Sequence, residues 1–571
     1  MKPLEARQFK KVDAPVLLNT MEPQMSDKQV NDKYVIGIDV GTGSARAGVF
    51  DAQGHRLATS SQPIQMWQPQ PHWAEQSSRD IWDAICRSVR ECLSQAKIAP
   101  QNVAGISFDA TCSLVVLDEN GNGLPVNQDG DATRDIIVWM DHRATAETEE
   151  INAGEHEVLQ YVGGQLSPEM QTPKLLWLKR HLPQTWGNAA QFFDLADFLT
   201  WKASGNDSRS LCTVVCKWTY LGHENRWDDS YFRAIGLEDA LPRIGKSIGA
   251  MGKSLGCLTE TAAQELGLST HCVVGQGIID AHAGGLGVLG AIWQDENGAP
   301  LGDLETSLAL IGGTSNCHMA VSREAKFVPG VWGPYFGAMV PGMWLQEGGQ
   351  STAGAAIDHA IADHANAARL FEYSKAHHQT VYEVLNEEVE RLQNQSGKGP
   401  QITRDIHILP DFLGNRSPYA DPHARGIYDG ISLDASLQSH ALRYLATIQA
   451  VAYGTRDIVQ SMNRAGYDIR NIFVTGGGTK NPLWLQEHAD ATGATLLLPE
   501  ESEAVLLGSA ILAATAAKLH PNIYAAMKAM SRSGRKVEPR PQFQKFHDAK
   551  FGIFQQLYQQ QKARRATMSG F

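Results

Sequence analysis

Residues 105–116, GISFDATCSLVV, place Asp109, Thr111, Cys112 and Ser113 between two apolar runs. A nucleophilic cysteine needs an activating base or a depressed pKa. A strand-borne cysteine flanked by threonine and serine reads instead as a packed or pocket-lining residue. Three glycine turns offer a different chemistry: Gly41-Thr42-Gly43-Ser44, Gly312-Gly313-Thr314-Ser315, and GGGTKN at 476–481, which holds Gly476, Gly477, Gly478 and Asn481. Each follows an apolar run, so its backbone N–H groups lie at a strand end, where anions bind. One such turn is an ordinary hairpin, whereas three in one chain point to phosphate. Asp39 directly precedes the first turn, where a carboxylate can order a hydrated Mg²⁺. Asp280 ends the apolar run of HCVVGQGIIDAHAGG with no cation adjacent in sequence, as a general base in a partly dry cleft should. Backbone cradles, a metal and a proton-accepting carboxylate are the parts of phosphoryl transfer.

Competing motifs fail. A Walker A loop needs GxxxxGK[ST], but Gly245-Lys246-Ser247 and Gly252-Lys253-Ser254 have Ala240 and Ser247 where its first glycine belongs. GLGVLG (285–290) fits GxGxxG formally but lies inside a small-residue helical run, so helix packing is its reading. His377-His378 reads as solvated surface, and His282 either lines a cleft beside Asp280 or is structural. Neither HExxH nor a two-histidine-plus-carboxylate spacing is present. Cys86 and Cys92, like Cys212 and Cys216, lack a partner cluster in sequence, so no protein-held transition metal is expected.

These residues need elements to position them. YVIGIDVGTGSARAGVFD reads as strand, tight turn, strand, with a hairpin turn at Gln53-Gly54. SSRDIWDAICRSVRECLSQA puts Ile81, Trp82, Ile85, Val89 and Leu93 on one helical face behind Ser78 as cap, and GISFDATCSLVV follows as a strand. The strand–turn–strand pattern recurs in LALIGGTSNCHMAVS (308–322), which suggests a duplicated module. RLQNQSGKGPQ (391–401) reads as a surface connection. A long amphipathic helix carrying Leu442, Leu445, Ile448, Ala452, Val459 and Met462 then stops near Gly466. NIFVTGGGTKNPLWLQEHADATGATLLLPE gives strand, turn, helix and strand, with Gly493 closing the helix. The expected fold is α/β, in two halves with a cleft between them.

The 571 residues suffice for two or more domains, and 43% hydrophobic with 20% charged residues suits a large core. A net charge of −12 argues against a general nucleic-acid or membrane-surface binder. Residues 1–32 lack an apolar signal core and read as a loosely ordered extension. No stretch approaches the ~20 apolar residues of a membrane span. Eight cysteines without a CxxC pair read as reduced thiols, and the expected location is cytoplasmic.

In order along the chain, GIDVGTGSARAGVFD, VWMDHRA (138–144), TPKLLWLKR (172–180), GIIDAHAG (277–284), FLGNRSPYADPHARG (412–426) and TGGGTKNPLWLQ (475–486) resemble the FGGY carbohydrate kinases over roughly residues 34–540. The resemblance implies two ribonuclease-H-like domains of the actin/hexokinase type, here 33–290 for sugar and base and 291–571 for ATP. It implies Asp280 as the base and Mg²⁺ at Asp39, through water, and at Asp280. GTGSAR, with Arg46, and GGTS become the phosphate loops, and GGGTKN the adenosine turn. Trp139 and Asp141 fall where the family contacts sugar, beside a selecting wall of Asp109, Thr111, Cys112 and Ser113, with His282 near. ATCSLVV is similar to the segment of D-ribulokinases. Glycerol kinases carry Arg-Glu where this chain has Ala110-Thr111, and xylulokinases carry Gln-Met-His in the segment. The implied reaction is ATP-dependent phosphorylation of D-ribulose at its 5-hydroxyl, with ribitol, L-ribulose and D-xylulose as other substrates to weigh. An ATP- or sugar-binding sensor is the non-catalytic alternative, and a homodimer is what family members commonly form.

Overall fold

The computed structural model describes residues 33–293 and 301–570. The expected N-terminal extension, 1–32, lies outside the described residues.

Two seven-stranded sheets form the frame. The first contains β1 (Tyr34–Val40), β2 (Ser44–Asp51), β3 (Arg56–Pro63), β4 (Val103–Ala110), β5 (Ser254–Cys257), β6 (Val273–Gly275) and β7 (Ile278–Ile279). Its order is β5-β6-β4-β1-β2-β3, with β7 also paired to β4. The second contains β8 (Ser307–Gly312), β9 (Asn316–Ser322), β10 (Trp332–Phe336), β11 (Trp344–Gln350), β12 (Asn471–Thr475), β13 (Thr495–Pro499) and β14 (Ser533–Val537), in the order β10-β11-β9-β8-β12-β13-β14. Each sheet repeats one grammar: an antiparallel hairpin through a glycine turn (β1–β2, β8–β9) and a parallel neighbour on the other side (β4, β12).

Side-chain alternation assigns the faces. Ile36, Ile38 and Val40 of β1 pack with Ile81, Ile85 and Val89 of α1 (Ser78–Ala96). Leu308, Leu310, Ile472 and Val474 pack beneath α4 (Leu437–Arg464) and α5 (Pro482–Thr492), while Ala309 and Phe473 face the opposite way. Between the sheets run α3 (Asp280–Leu289) and α6 (Ala504–Ala516), which pack on each other, α6 against β1 and β4 and α3 against β8. A side chain on Gly37 would strike the Leu506 carbonyl, and one on Gly508 the Ala283 carbonyl, so glycine is what permits these backbone approaches.

Several expectations shift. GISFDATCSLVV is two strands: β4 ends at Ala110, and Leu114–Leu117 joins a small separate sheet with Glu75–Gln76, Ile136–Ile137 and Gln191–Asp194. Residues 111–113 form the crossing between them. Asp280 opens α3 and does not end a strand, because β7 stops at Ile279 and the Asp280 carboxylate accepts from the Ala281 N–H (2.7 Å). The α1 cap is Ser77, one residue earlier than expected, and it accepts from the Asp80 N–H. Residues 391–396 are not a connection but the end of the helix Val381–Ser396. A Thr380/Glu383 capping box starts that helix, and Leu385, Val389 and Leu392 are buried along it. His377 and His378 follow the helix Ala367–Ala376, with His378 in the left-handed region. The helices α4 and α5 end as expected, before Gly466 (φ 97°) and at Gly493 (φ 70°).

Candidate active site

Parallel pairing brings three carboxylates to one sheet end. Asp39 of β1 stands opposite Asp109 of β4, and β7 pairs Ile278 with Asp109, so Asp280 follows at the same edge. The two glycine turns sit where their hairpins close, with the Gly41 N–H on the Ser44 carbonyl (3.0 Å) and the Gly313 N–H on the Ser315 carbonyl (2.9 Å). Between the sheets lies a cleft of about 420 Å³, lined from both halves of the chain.

Of the residues singled out from sequence, Asp39, Gly41, Thr42, Arg46, Thr111, Cys112, Trp139, Asp280, Gly312, Gly313, Thr314, Ser315, Gly476 and Gly477 line this cleft. The Trp139 indole N–H donates to Thr42 Oγ1 (3.1 Å), tying the cleft wall to the Gly41–Ser44 turn. Arg46 is ion-paired with Asp39 and with Glu503.

The others sit behind the wall. Asp141 is fully buried in an ion pair with Arg143 and accepts from the Ala74 N–H, so it braces the chain rather than meeting ligand. Asp109 is sealed under α6, where Ser509 Oγ donates to it (2.6 Å). Ser113 is buried and accepts from the Trp139 N–H. His282 is buried against Cys216 (3.7 Å) and Glu347 (3.7 Å). Asn481 caps α5 and donates to the Tyr444 hydroxyl (2.8 Å), which occupies the side chain expected at adenosine. Gly43 and Ser44 shape the first turn without lining the cleft, and Gly478 abuts the Trp484 ring.

Sequence reasoning missed Lys217, Glu347, Arg416, Glu169 and Trp332, all of which line the cleft. Lys217 ends α2 (Leu211–Lys217), a run of otherwise apolar or small residues in which a lysine is itself a signal. Its ammonium lies 4.4 Å from the Trp332 ring centroid, and the Arg416 guanidinium lies 5.1 Å from the same ring. Arg416 also reaches Glu169 (2.9 Å), joining the two halves across the cleft.

The electrostatics separate the carboxylates. Burial, followed by the neighbouring Asp39 charge, pushes Asp280 up to about 7. Burial, then Asp39, pushes Asp109 far above the usual carboxylate range. Burial also pushes upward on Glu347, but Lys217, His282 and Arg416 outweigh it and hold that carboxylate below its ordinary value. Burial pushes the Cys112 thiol up to about 12, which removes the thiolate a nucleophile needs. The arrangement gathers a carboxylate poised near neutrality, a cationic wall and two glycine turns whose backbone N–H groups suit anions.

Comparison with known proteins agrees with this geometry. The N-terminal domain of the FGGY family of carbohydrate kinases matches residues 34–287, and the C-terminal domain matches residues 308–517.

The chain belongs to the FGGY family of carbohydrate kinases.

It is 47% identical over 549 residues to an FGGY carbohydrate kinase domain-containing protein of Homo sapiens, covering 95% of this chain and 99% of that protein. It is 38% identical over 539 residues to a D-ribulokinase of Saccharomyces cerevisiae, covering 88% and 75%. Among solved structures, a xylulose kinase from Lactobacillus acidophilus superposes with a TM-score of 0.76 at 19% identity (94% of this chain, 100% of that one). A Plasmodium falciparum glycerol kinase with ADP superposes at 0.73 and 16% (92% and 98%). These structural likenesses establish the two-domain actin/hexokinase-like fold. This FGGY protein is a sugar kinase, and among its described residues no helix is long and apolar enough to cross a membrane.

Proposed function

We propose that this kinase transfers the γ-phosphoryl group of ATP to the terminal hydroxyl of a pentulose, D-ribulose, giving D-ribulose 5-phosphate. The observation that carries the reaction is Asp280, raised to about 7, in one cleft with the Gly41–Thr42 and Gly312–Ser315 turns. Its carboxylate accepts the attacking hydroxyl's proton, and the turn N–H groups cradle the phosphates. Lys217 and Glu347 are charged cleft residues suited to sugar hydroxyls, with Thr111, Cys112 and Trp139 shaping the opposite wall. The hard oxygen donors of Asp39 and Asp280 suit Mg²⁺, which would neutralise charge on the phosphates. The chain's own residues exclude water through the Glu169–Arg416 bridge over the cleft.

The choice of D-ribulose rests on the Ala110-Thr111-Cys112-Ser113-Leu114 segment and on the similarity to the yeast enzyme bearing that name. Initial rates on D-ribulose, L-ribulose, ribitol and D-xylulose test it. The highest kcat/KM on D-ribulose is expected; a clear preference for another of the four would replace the substrate and leave the chemistry standing.

A further inference from the structure

Behind the sugar-side wall, α2 and α3 bury a group of side chains that phosphoryl transfer does not use. Cys212 and Cys216 are one helical turn apart on α2 and therefore share a face. His282 projects from the first turn of α3, opposite them. All three are fully buried, and their two sulfurs and a ring nitrogen lie within 4.8 Å of one another. His282 Nε2 is 3.7 Å from Cys216 Sγ and 3.7 Å from Glu347 Oε2. That Glu347 oxygen is closed off from solvent with no hydrogen-bond partner among the described residues. A buried carboxylate oxygen without a donor is costly.

Tetrahedral zinc explains the set. Metal–sulfur bonds of about 2.3 Å and metal–nitrogen or –oxygen bonds of about 2.0 Å separate ligand atoms by roughly 3.3–3.8 Å; the two sulfurs and the ring nitrogen need only contract from within 4.8 Å, whereas Glu347 lies outside that trio and must swing toward it. We propose that Cys212, Cys216 and His282 form a structural site for one Zn²⁺, with Glu347 Oε2, now 3.7 Å from His282 Nε2, turning in as its fourth ligand. The two thiols give up their protons on binding, and the resulting thiolates and carboxylate face the metal charge with the Lys217 cation beside them. Thiolate and imidazole donors select zinc over the hard Mg²⁺ of the phosphate end. The ion would pin α2 to α3, and with them Lys217 and Asp280, whose placement sets the cleft. Sequence spacing hid the site because its ligands come from positions 212, 216, 282 and 347, on three separate elements. This inference does not depend on which sugar is phosphorylated.

The test uses the untagged full chain, produced with zinc in the medium and dialysed against metal-free buffer. Elemental analysis should find about one zinc per chain, and X-ray absorption at the zinc edge should show two sulfur scatterers, with no variant needed. Cobalt exchange should give a thiolate-to-metal charge-transfer band that is absent from the Cys212→Ser/Cys216→Ser double variant, and stripping the metal should lower the Tm. Protein that emerges zinc-free and gives no cobalt band overturns the site. Sulfur-free coordination, or a band that survives in the folded double variant, overturns it equally.

Discussion

Asp39 and Asp109 face each other across the parallel β1–β4 pairing, yet Asp39 lines the cleft and Asp109 is sealed beneath Ser509 of α6. Equivalent positions in the sheet therefore differ in their access to the cleft. Asp109, whose protonated form burial and Asp39 favour, is mimicked in shape and donor capacity by asparagine. Asp109→Asn should cost less than about 1 kcal/mol and keep near-normal kcat. Asp39→Asn should fold equally well and lose about 10²–10³-fold in kcat, as when an electrostatic stabiliser is removed. Steady-state kinetics and urea unfolding on the two variants check the contrast. Equal loss of activity from both would mean that Asp109 is ionised and acts at the cleft.

As the proposed base, Asp280 acts only when deprotonated. Its raised value, about 7, places the active form above that pH, so kcat/KM should be full above neutrality and fall as pH drops through about 7. The groups setting this value are Asp39 on β1 and Glu347 on β11, which raise it, and Lys217 on α2 and the Ala281 N–H on α3, which lower it. Lys217→Met should therefore move the acidic limb to higher pH. Asp280→Asn should abolish the limb and lower kcat by about 10²–10⁴-fold while leaving nucleotide binding intact. A pH profile of Lys217→Met that shifts to lower pH would contradict the assignment.

Cys112 stays a thiol at physiological pH because burial holds it near 12. Cys112→Ser should keep kcat within a few-fold, and iodoacetamide should not inactivate the enzyme at neutral pH. Any larger effect belongs in the KM for the sugar, since the sulfur lines the cleft. Complete loss of kcat in a folded Cys112→Ser protein would restore a covalent mechanism.

How far the sequence could be read follows from what each feature depends on. Apolar runs punctuated by Gly41–Ser44, Gly312–Ser315 and Gly476–Gly478 are local patterns, and they located both hairpins and the turn after β12. Asp39 was legible because it directly precedes such a turn, and Asp280 because it closes an apolar run beside glycines. Asp141, which the resemblance puts near the sugar, was misplaced because Arg143, two residues on, pairs with it inside the core. Asn481 was misplaced because capping α5 consumes its side chain. Lys217, Glu347 and Arg416 come from three distant segments and meet only through the packing of α2, β11 and the loop carrying Arg416 about Trp332. One-dimensional spacing carries no trace of that meeting.

Arg416 and Glu169 span the two halves with both side chains nearly buried. Removing one partner leaves a dehydrated charge, which costs about 3–5 kcal/mol. Arg416→Met should therefore lower kcat/KM by about 10²-fold or more. Arg416→Lys should rescue little, because an ammonium does not reproduce the guanidinium's stacking on Trp332 together with its reach to both Glu169 oxygens. The double variant Arg416→Met/Glu169→Gln should recover part of the loss. Strict additivity of the two changes would show that the bridge has no coupling energy.

Gly508 makes the crossing of α3 and α6 depend on a missing side chain. A Cβ there would lie 1.9 Å from the Ala283 carbonyl, and a backbone atom cannot rotate aside. Alanine must therefore push α3 away from α6, at a cost of about 1–3 kcal/mol. Since α3 begins at Asp280, the displacement reaches the base directly, and an ångström of misplacement is worth about 10²-fold in rate. Gly508→Ala should thus lose kcat out of proportion to its stability. Gly552→Ala, in the C-terminal helix Gln544–Met568 with open space at the site, is the matched control. It should be neutral or stabilising by up to about 1 kcal/mol with unchanged kinetics. If Gly508→Ala kept wild-type kcat, the two helices would not be what fixes the base in the cleft.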